Sequence, residues 1–240
     1  MIDTATGKRF GHRDEERFPL CSTFKLLAVA AVLARVDRGA ERLDRRIAYA
    51  AADLLEYAPV TRARLGEGGL KLAELCEAAL GLSDNTAANL LLASLGGPAA
   101  VTAYARSLGD PMTRLDRTEP TLNEAMLGDP RDTTTPRSMA GNLQALLLGP
   151  ALSQRSRELL QSWLIASKTG FERLRAGVPA GWRVGDKTGS GGAGSTNDVA
   201  ILWPPGKKPI LIAAYLTGTS ASPELRNQTL ADVARLATGA

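Results

Sequence analysis

Apolar positions recur with helical spacing through the middle of the chain and give way to short apolar stretches bounded by Gly and Pro near its ends. After Pro19 an almost unbroken apolar run at 23–36, closed by Arg38 and Gly39, predicts a buried helix with a glycine stop. The helical period returns at 70–80, 84–95, 98–108, 136–148 and 153–166, with Ser83 read as the N-cap of the second of these and Pro98 and Pro136 opening their helices. From Trp182 onward the pattern changes. Residues 182–188, 198–203 and 210–217 read as three strands of an antiparallel meander, followed by an amphipathic helix at 223–236. At the other end, 2–10 reads as a strand, a turn at Gly7 and a second short strand.

Strands at both termini around a helical middle predict an α/β (α+β) fold in two lobes. An antiparallel sheet lobe is built from 1–20 and 168–240, with an all-α lobe, 21–167, inserted between them. The natural site is the cleft where the lobes meet. One stretch, 115–136, has neither helical nor strand period and carries Asp116, Arg117, Glu119, Asp129, Arg131 and Asp132. A loop of that length in a compact domain is usually functional, and an Arg117–Asp132 ion pair is able to close it.

Composition narrows the chemistry more than the fold. At 240 residues and 44% hydrophobic content the chain buries a sizeable core. The net charge of +4 comes from scattered arginines, and aromatics are only 5%, so no nucleic-acid partner is expected. Cys21, Cys76 and His12 are the only residues of their kinds. No zinc-ligand spacing exists, and a histidine-based triad has only His12 to draw on, so a nucleophile here is expected to be activated by lysine or carboxylate. No apolar segment reaches membrane-spanning length and no leader pattern precedes Thr4, so neither a membrane partner nor a signal peptide is expected.

Three short motifs meet that requirement. Ser22 and Lys25 stand one helical turn apart on one face, where an amine can take or shuttle a hydroxyl proton; an N-cap serine beside a surface lysine would look the same. Ser83-Asp84-Asn85 is equally a good helix start. Lys187-Thr188-Gly189 lies in a predicted strand before Ser190-Gly191-Gly192, where missing side chains let a ligand approach the backbone. A second copy, Lys168-Thr169-Gly170, follows a predicted helix and reads as structural, with Gly170 as a C-cap and Lys168 complementing the helix dipole.

In this order and at this spacing, the three motifs together with Glu119 and Asn123 in Arg117-Thr118-Glu119-Pro120-Thr121-Leu122-Asn123 resemble class A serine β-lactamases, over nearly the whole chain. The resemblance implies hydrolysis of penicillins and cephalosporins, and hence β-lactam resistance, through an acyl-Ser22 intermediate. Ser22 would attack, Lys25 or Glu119 acting through water would take its proton, and Glu119 with Asn123 would aim the hydrolytic water. It implies an oxyanion hole from the N–H groups of Ser22 and Ser190, protonation of the leaving nitrogen by Ser83 with help from Lys187, and a grip by Asn85 on the substrate amide. Thr188, Gly189 and Ser190 would bind the substrate, Thr188 and Ser190 holding its carboxylate, with Tyr57 gating the cleft. Members commonly add an arginine for that carboxylate; the strand position here is Thr196, and Arg173 is the substitute. Arg117 and Asp132 would pin the loop, and the Glu119–Pro120 bond would be cis.

No cofactor or metal is implied, the only partner is the small β-lactam, and a monomer in the periplasm or outside the cell is expected. Relative to the family the first strand starts nearly finished, so the sheet lobe is expected to be shortened at its N-terminus. By the same resemblance, Cys76 matches a family disulfide position whose partner here is Val29, and the position after Ser190, where a subgroup pairs with the cysteine before the nucleophile, is Gly191, so neither bridge is expected. A D-Ala-D-Ala carboxypeptidase or transpeptidase, or a β-lactam sensor, shares the Ser22/Lys25 machinery; Glu119 and Asn123 argue against both.

Overall fold

A computed structural model describes residues 1–239. Along the chain run β1 (Ile2–Asp3), β2 (Phe18–Pro19), α1 (Phe24–Asp37), β3 (Arg46–Ile47), α2 (Pro59–Ala63), β4 (Leu70–Lys71), α3 (Leu72–Gly81), α4 (Asn85–Leu95) and α5 (Pro98–Ser107). Then come β5 (Thr133–Thr134), α6 (Pro136–Leu147), α7 (Gln154–Ile165), β6 (Arg183–Ser190), β7 (Thr196–Trp203), β8 (Ile210–Leu216) and α8 (Pro223–Thr238). β1, β8, β7 and β6 form one antiparallel sheet in that order, so strands from the two ends of the chain lie side by side.

Alternation along β7 gives this sheet two apolar faces. Val199 and Ile201 join the large core that holds Leu26, Leu27, Val29, Leu91 and Leu143, while Ala200 and Leu202 pack with Leu230 and Ala234 of α8. α1 passes through the large core with residues 24–34 all buried, which is why its sequence is apolar all round rather than along one stripe. Ser22 and Lys25 are thereby held at the N-terminal end of this buried helix. Among the described residues no single helix is long and apolar enough to cross a membrane.

Four local expectations change. The helix expected from residue 70 starts at Leu72, because Leu70 and Lys71 pair with β3. Ser83 is not the cap of α4. Asp84 is, accepting from Ala87 N at 2.8 Å, and Ser83 sits at φ +57°, outside the helix. The loop 115–136 is not wholly irregular, since it contains a 3-10 turn at Thr121–Asn123 and ends in β5. Finally, α7 is capped at Ala166, not Gly170. Gly170 instead lies against Asp186, whose carboxylate a Cβ there would strike.

Candidate active site

The nucleophile end of the site is a single 3-10 turn, Cys21–Thr23, leading into α1. Cys21 takes φ +43°, a conformation L residues rarely adopt, and the turn is tied down from the sheet by Asn197 Nδ2, which donates to Pro19 O at 2.8 Å and Leu20 O at 3.3 Å. Local strain held by its surroundings aims Ser22 into a cleft of about 340 Å³ that Tyr57, Ser83, Asn85, Asn123 and Ser190 also line.

Lys25 is fully buried, so its ammonium has to find its partners within the protein. It finds Glu119 Oε1 at 3.0 Å, Asn85 Oδ1 at 2.6 Å, Ser83 O at 2.7 Å and Ser83 Oγ at 3.2 Å. Burial pulls its pKa down, and the Glu119 carboxylate pulls it back up. The Ser22 hydroxyl donates to the same Glu119 Oε1 at 3.1 Å, so one carboxylate oxygen gathers both the serine proton and the lysine. Asn123 Nδ2 holds the other oxygen at 2.5 Å, and Asn123 Oδ1 is a buried acceptor with no donor among the described residues.

Lys187 reaches the cleft from β6. It is fully buried and donates to Ser83 Oγ at 3.0 Å and Thr188 O at 2.8 Å, so Ser83 Oγ lies between two lysines. Burial first, then the nearby Lys25 charge, lowers the Lys187 pKa from 10.5 to about 7. Ser83 can stand there only because its neighbour does the structural work. Asp84 is fully buried and, besides capping α4, accepts from Val60 N and Thr61 N at 3.0 and 2.9 Å, fastening α2 beside the Ser83 turn. Asn85 N in turn donates to Tyr57 O at 3.1 Å, while the Tyr57 side chain is half exposed at the cleft mouth.

Glu119 hangs in the loop 115–136, across a cis Glu119–Pro120 bond. Arg117 Nε donates to Asp132 Oδ2 at 2.6 Å, and Asp132 Oδ1 accepts from the backbone N–H groups of Asp116 and Arg117 at 2.7 and 2.9 Å. At the far side Arg173 lies along the end of β6. Its guanidinium donates to Gly189 O at 2.9 Å, Asn197 O at 2.8 Å and Ser190 Oγ at 2.7 Å, beside Thr188 and Gly189, while Thr196 is buried in β7.

The structure therefore brings together Ser22, Lys25, Ser83, Asn85, Glu119, Asn123, Arg173, Lys187, Thr188, Gly189 and Ser190. Cys21 and Cys76 are free, and Cys21 Sγ lies against Gly191. Two participants escaped the sequence reading. Asn89 of α4 forms a two-bond clasp with the Glu119 backbone, Nδ2 to O and N to Oδ1, both at 2.9 Å. An asparagine inside an apolar helix, four residues after Asn85, was the available signal. Thr169, from the motif copy read as structural, lines the cleft and meets Thr188 Oγ1 at 2.7 Å, while Lys168 beside it is exposed. Larger hollows of about 800 and 660 Å³ elsewhere contain none of these groups.

The whole chain, residues 1–240, matches the model of the beta-lactamase enzyme family. It is 50% identical to beta-lactamase L2 of Stenotrophomonas maltophilia over 99% of this chain and 78% of that protein. Against beta-lactamase CTX-M-8 of Citrobacter amalonaticus it is 48% identical over 99% and 81%. Among solved structures, an ancestral (GNCA) class A beta-lactamase superposes with a TM-score of 0.98 at 62% identity, covering 99% of this chain and 91% of that one. A putative class A beta-lactamase, PenP from Rhodopseudomonas palustris, does so with 0.97 at 59%, with the same coverage.

Proposed function

The chain belongs to the beta-lactamase enzyme family, and on that premise we propose that it is a class A β-lactamase that hydrolyses penicillins and cephalosporins through an ester on Ser22. The observation that carries the reading is the Glu119 carboxylate, whose Oε1 accepts from both Ser22 Oγ and Lys25 Nζ while Asn123 fixes Oε2.

The chemistry follows from those contacts. Ser22 Oγ attacks the lactam carbonyl as its proton passes to Glu119, with which it is in direct contact, or to the buried Lys25 when that carboxylate is removed, and the backbone N–H groups of Ser22 and Ser190 stabilise the oxyanion. Collapse breaks the C–N bond, and the nitrogen takes its proton from Ser83 Oγ; Lys25, in contact with both Glu119 Oε1 and Ser83 Oγ, relays the serine's proton to Ser83 and leaves Glu119 a carboxylate again, while Lys187 holds Ser83 Oγ from the other side. The resulting ester is inert until a base activates water. Glu119 is that base, and the free Asn123 Oδ1 accepts the water's second hydrogen. Attack on the ester carbon expels Ser22, whose oxygen recovers the proton. Asn85 holds the substrate amide, and Thr188, Gly189, Ser190 and Arg173 surround its carboxylate. The enzyme acts as a monomer in the periplasm or outside the cell, where β-lactams meet their targets.

Mass spectrometry during turnover of a chromogenic cephalosporin tests this. Wild-type enzyme is expected to consume the substrate with no lasting adduct, whereas Glu119→Ala accumulates the acyl-Ser22 mass while turnover falls about a hundred- to ten-thousandfold. A lasting adduct on the wild-type protein would mark a transpeptidase-like enzyme or a sensor and overturn the reading.

A further inference from the structure

The reaction makes no use of two buried carboxylates on the sheet, Asp186 and Asp198. β6 and β7 pair with Asp186 opposite Ala200 and Asp198 opposite Thr188, so Asp186 and Asp198 are diagonal neighbours on one face of the sheet. It is the face turned to α8, where Val184, Ala200 and Leu202 pack with Leu230 and Ala234. Both aspartates are fully buried. Two adjacent anions in such a place are costly unless their charge is reduced or matched.

Each carboxylate has one oxygen satisfied. Asp186 Oδ1 accepts from Arg175 Nε, and Asp198 Oδ2 accepts from Leu174 N at 3.2 Å. The other two, Asp186 Oδ2 and Asp198 Oδ1, have no donor among the described residues. The charged groups around the pair are Arg173 and Arg175 from the segment 170–178 and Lys187 from β6, while Arg226 of α8 faces Arg173. Ser167 also lies near Asp186, but its hydroxyl meets Thr169 Oγ1 at 3.4 Å. Of these charged side chains only Arg175 bonds the pair directly, and only at Asp186. Burial holds both carboxyls above the ordinary carboxylate range, and for Asp198 the neighbouring Asp186 charge adds to it.

We propose that Asp186 and Asp198 share one proton, Asp198 Oδ1–H donating to Asp186 Oδ2, and that this acid–carboxylate pair positions Arg173. A single proton satisfies both orphaned oxygens and leaves one negative charge to face Arg175. It belongs on Asp198, because Asp186 is the member held by the guanidinium. The positioning follows from what the pair grips: the Leu174 N–H and the Arg175 side chain belong to the two residues that follow Arg173, so the carboxyls clamp that stretch to β6 and β7. Arg173 is thereby held in reach of Ser190 Oγ, Gly189 O and Asn197 O. The positioning half rests on the carboxylate role proposed for Arg173; the shared proton does not.

Infrared spectra of the enzyme carrying ¹³C-aspartate side chains, in H₂O and D₂O near neutral pH, read the proton directly. A protonated carboxyl C=O band, isotope-shifted and absent from Asp198→Asn, is expected; no such band in the wild-type enzyme overturns the shared proton. Asp198→Asn keeps a donor toward Asp186 and an acceptor for Leu174 N–H, so KM for free-acid penicillins should stay within about threefold of wild type. Asp186→Asn loses the anion that holds Arg175 and should raise that KM about tenfold or more with a smaller change in kcat, and have little effect on substrates whose carboxylate is esterified. Equal losses on acid and ester, or a loss in Asp198→Asn as large as in Asp186→Asn, overturn the positioning role. The band decides the proton whether or not Asp186→Asn folds, and an Arg173→Ala enzyme with unchanged KM for the free acids would mark failure of the carboxylate assignment instead.

Discussion

Arg173 has a donor on each of three acceptors around the end of β6, and the one that faces the cleft is shared with Ser190 Oγ. On the proposed reading, a guanidinium fixed in this way meets the substrate carboxylate with its orientation already set. A charge-assisted bond to a carboxylate is worth ~1.5–3 kcal/mol, so Arg173→Ala should lower kcat/KM for penicillins and cephalosporins about ten- to a hundredfold. The loss should shrink for esterified substrates. Comparing free acid with ester at equal protein stability separates substrate binding from the loss of the Gly189 and Asn197 contacts; a loss that is the same for both would assign Arg173 a purely structural part.

At the scale of elements, the loop 115–136 is held as a unit by one carboxylate. Asp132 is almost fully buried and satisfies two backbone N–H groups and Arg117 Nε, while Arg117 also reaches Glu124 at 2.5 Å. Truncating Asp132 to Ala strands three donors at once, at a cost of about 2–4 kcal/mol, somewhat below that for a fully buried pair because Arg117 keeps Glu124. For a domain of this size that is a fall in Tm of roughly 5–15 °C, measurable by calorimetry. Because Glu119 rides on the same loop, deacylation should slow more than acylation in stopped-flow traces. A variant that loses stability while both steps keep their wild-type ratio would show that the base is held independently of the loop clasp.

The whole molecule carries a stability cost at its centre. Lys25 and Lys187 are both fully buried around Ser83 Oγ, and one carboxylate, Glu119, is paired with Lys25. The Lys187 pKa falls from 10.5 to about 7 in the folded protein, so between these values the unfolded chain binds the extra proton and the folded one does not. Stability therefore rises with pH across that window, and the penalty is complete below about pH 7. Lys187→Met should accordingly abolish most activity yet raise Tm near pH 7, with the gain shrinking as pH climbs toward 10. A Tm gain that is flat with pH would show that the buried charge is not its source. Such a trade, stability given up for a poised group, is common at catalytic centres.

The amino-acid sequence by itself determined the order of the long helices and of the three long strands, since helical and strand periods and Gly/Pro boundaries are local properties, while the two-residue strands and the short α2 left no such period. It also marked the candidate catalytic residues, because Ser22/Lys25, Ser83-Asp84-Asn85 and Lys187-Thr188-Gly189 are short strings whose members lie within a few positions of one another. What it left open were matters of which neighbour takes which bond. Ser83 and Asp84 are both good caps, and only the packing of α2 against Asp84, through Val60 N and Thr61 N, freed Ser83 for the cleft. Thr169 looked structural and Asn89 did not stand out, because their partners, Thr188 and Glu119, stand 19 and 30 residues away. Gly170 looked like a cap until β6 placed the Asp186 carboxylate against it. The proximity of Asp186 and Asp198, and of Lys25 and Lys187, exists only once strands and helices distant in the chain have packed, and the shifts in their pKa values arise from burial that no local pattern records.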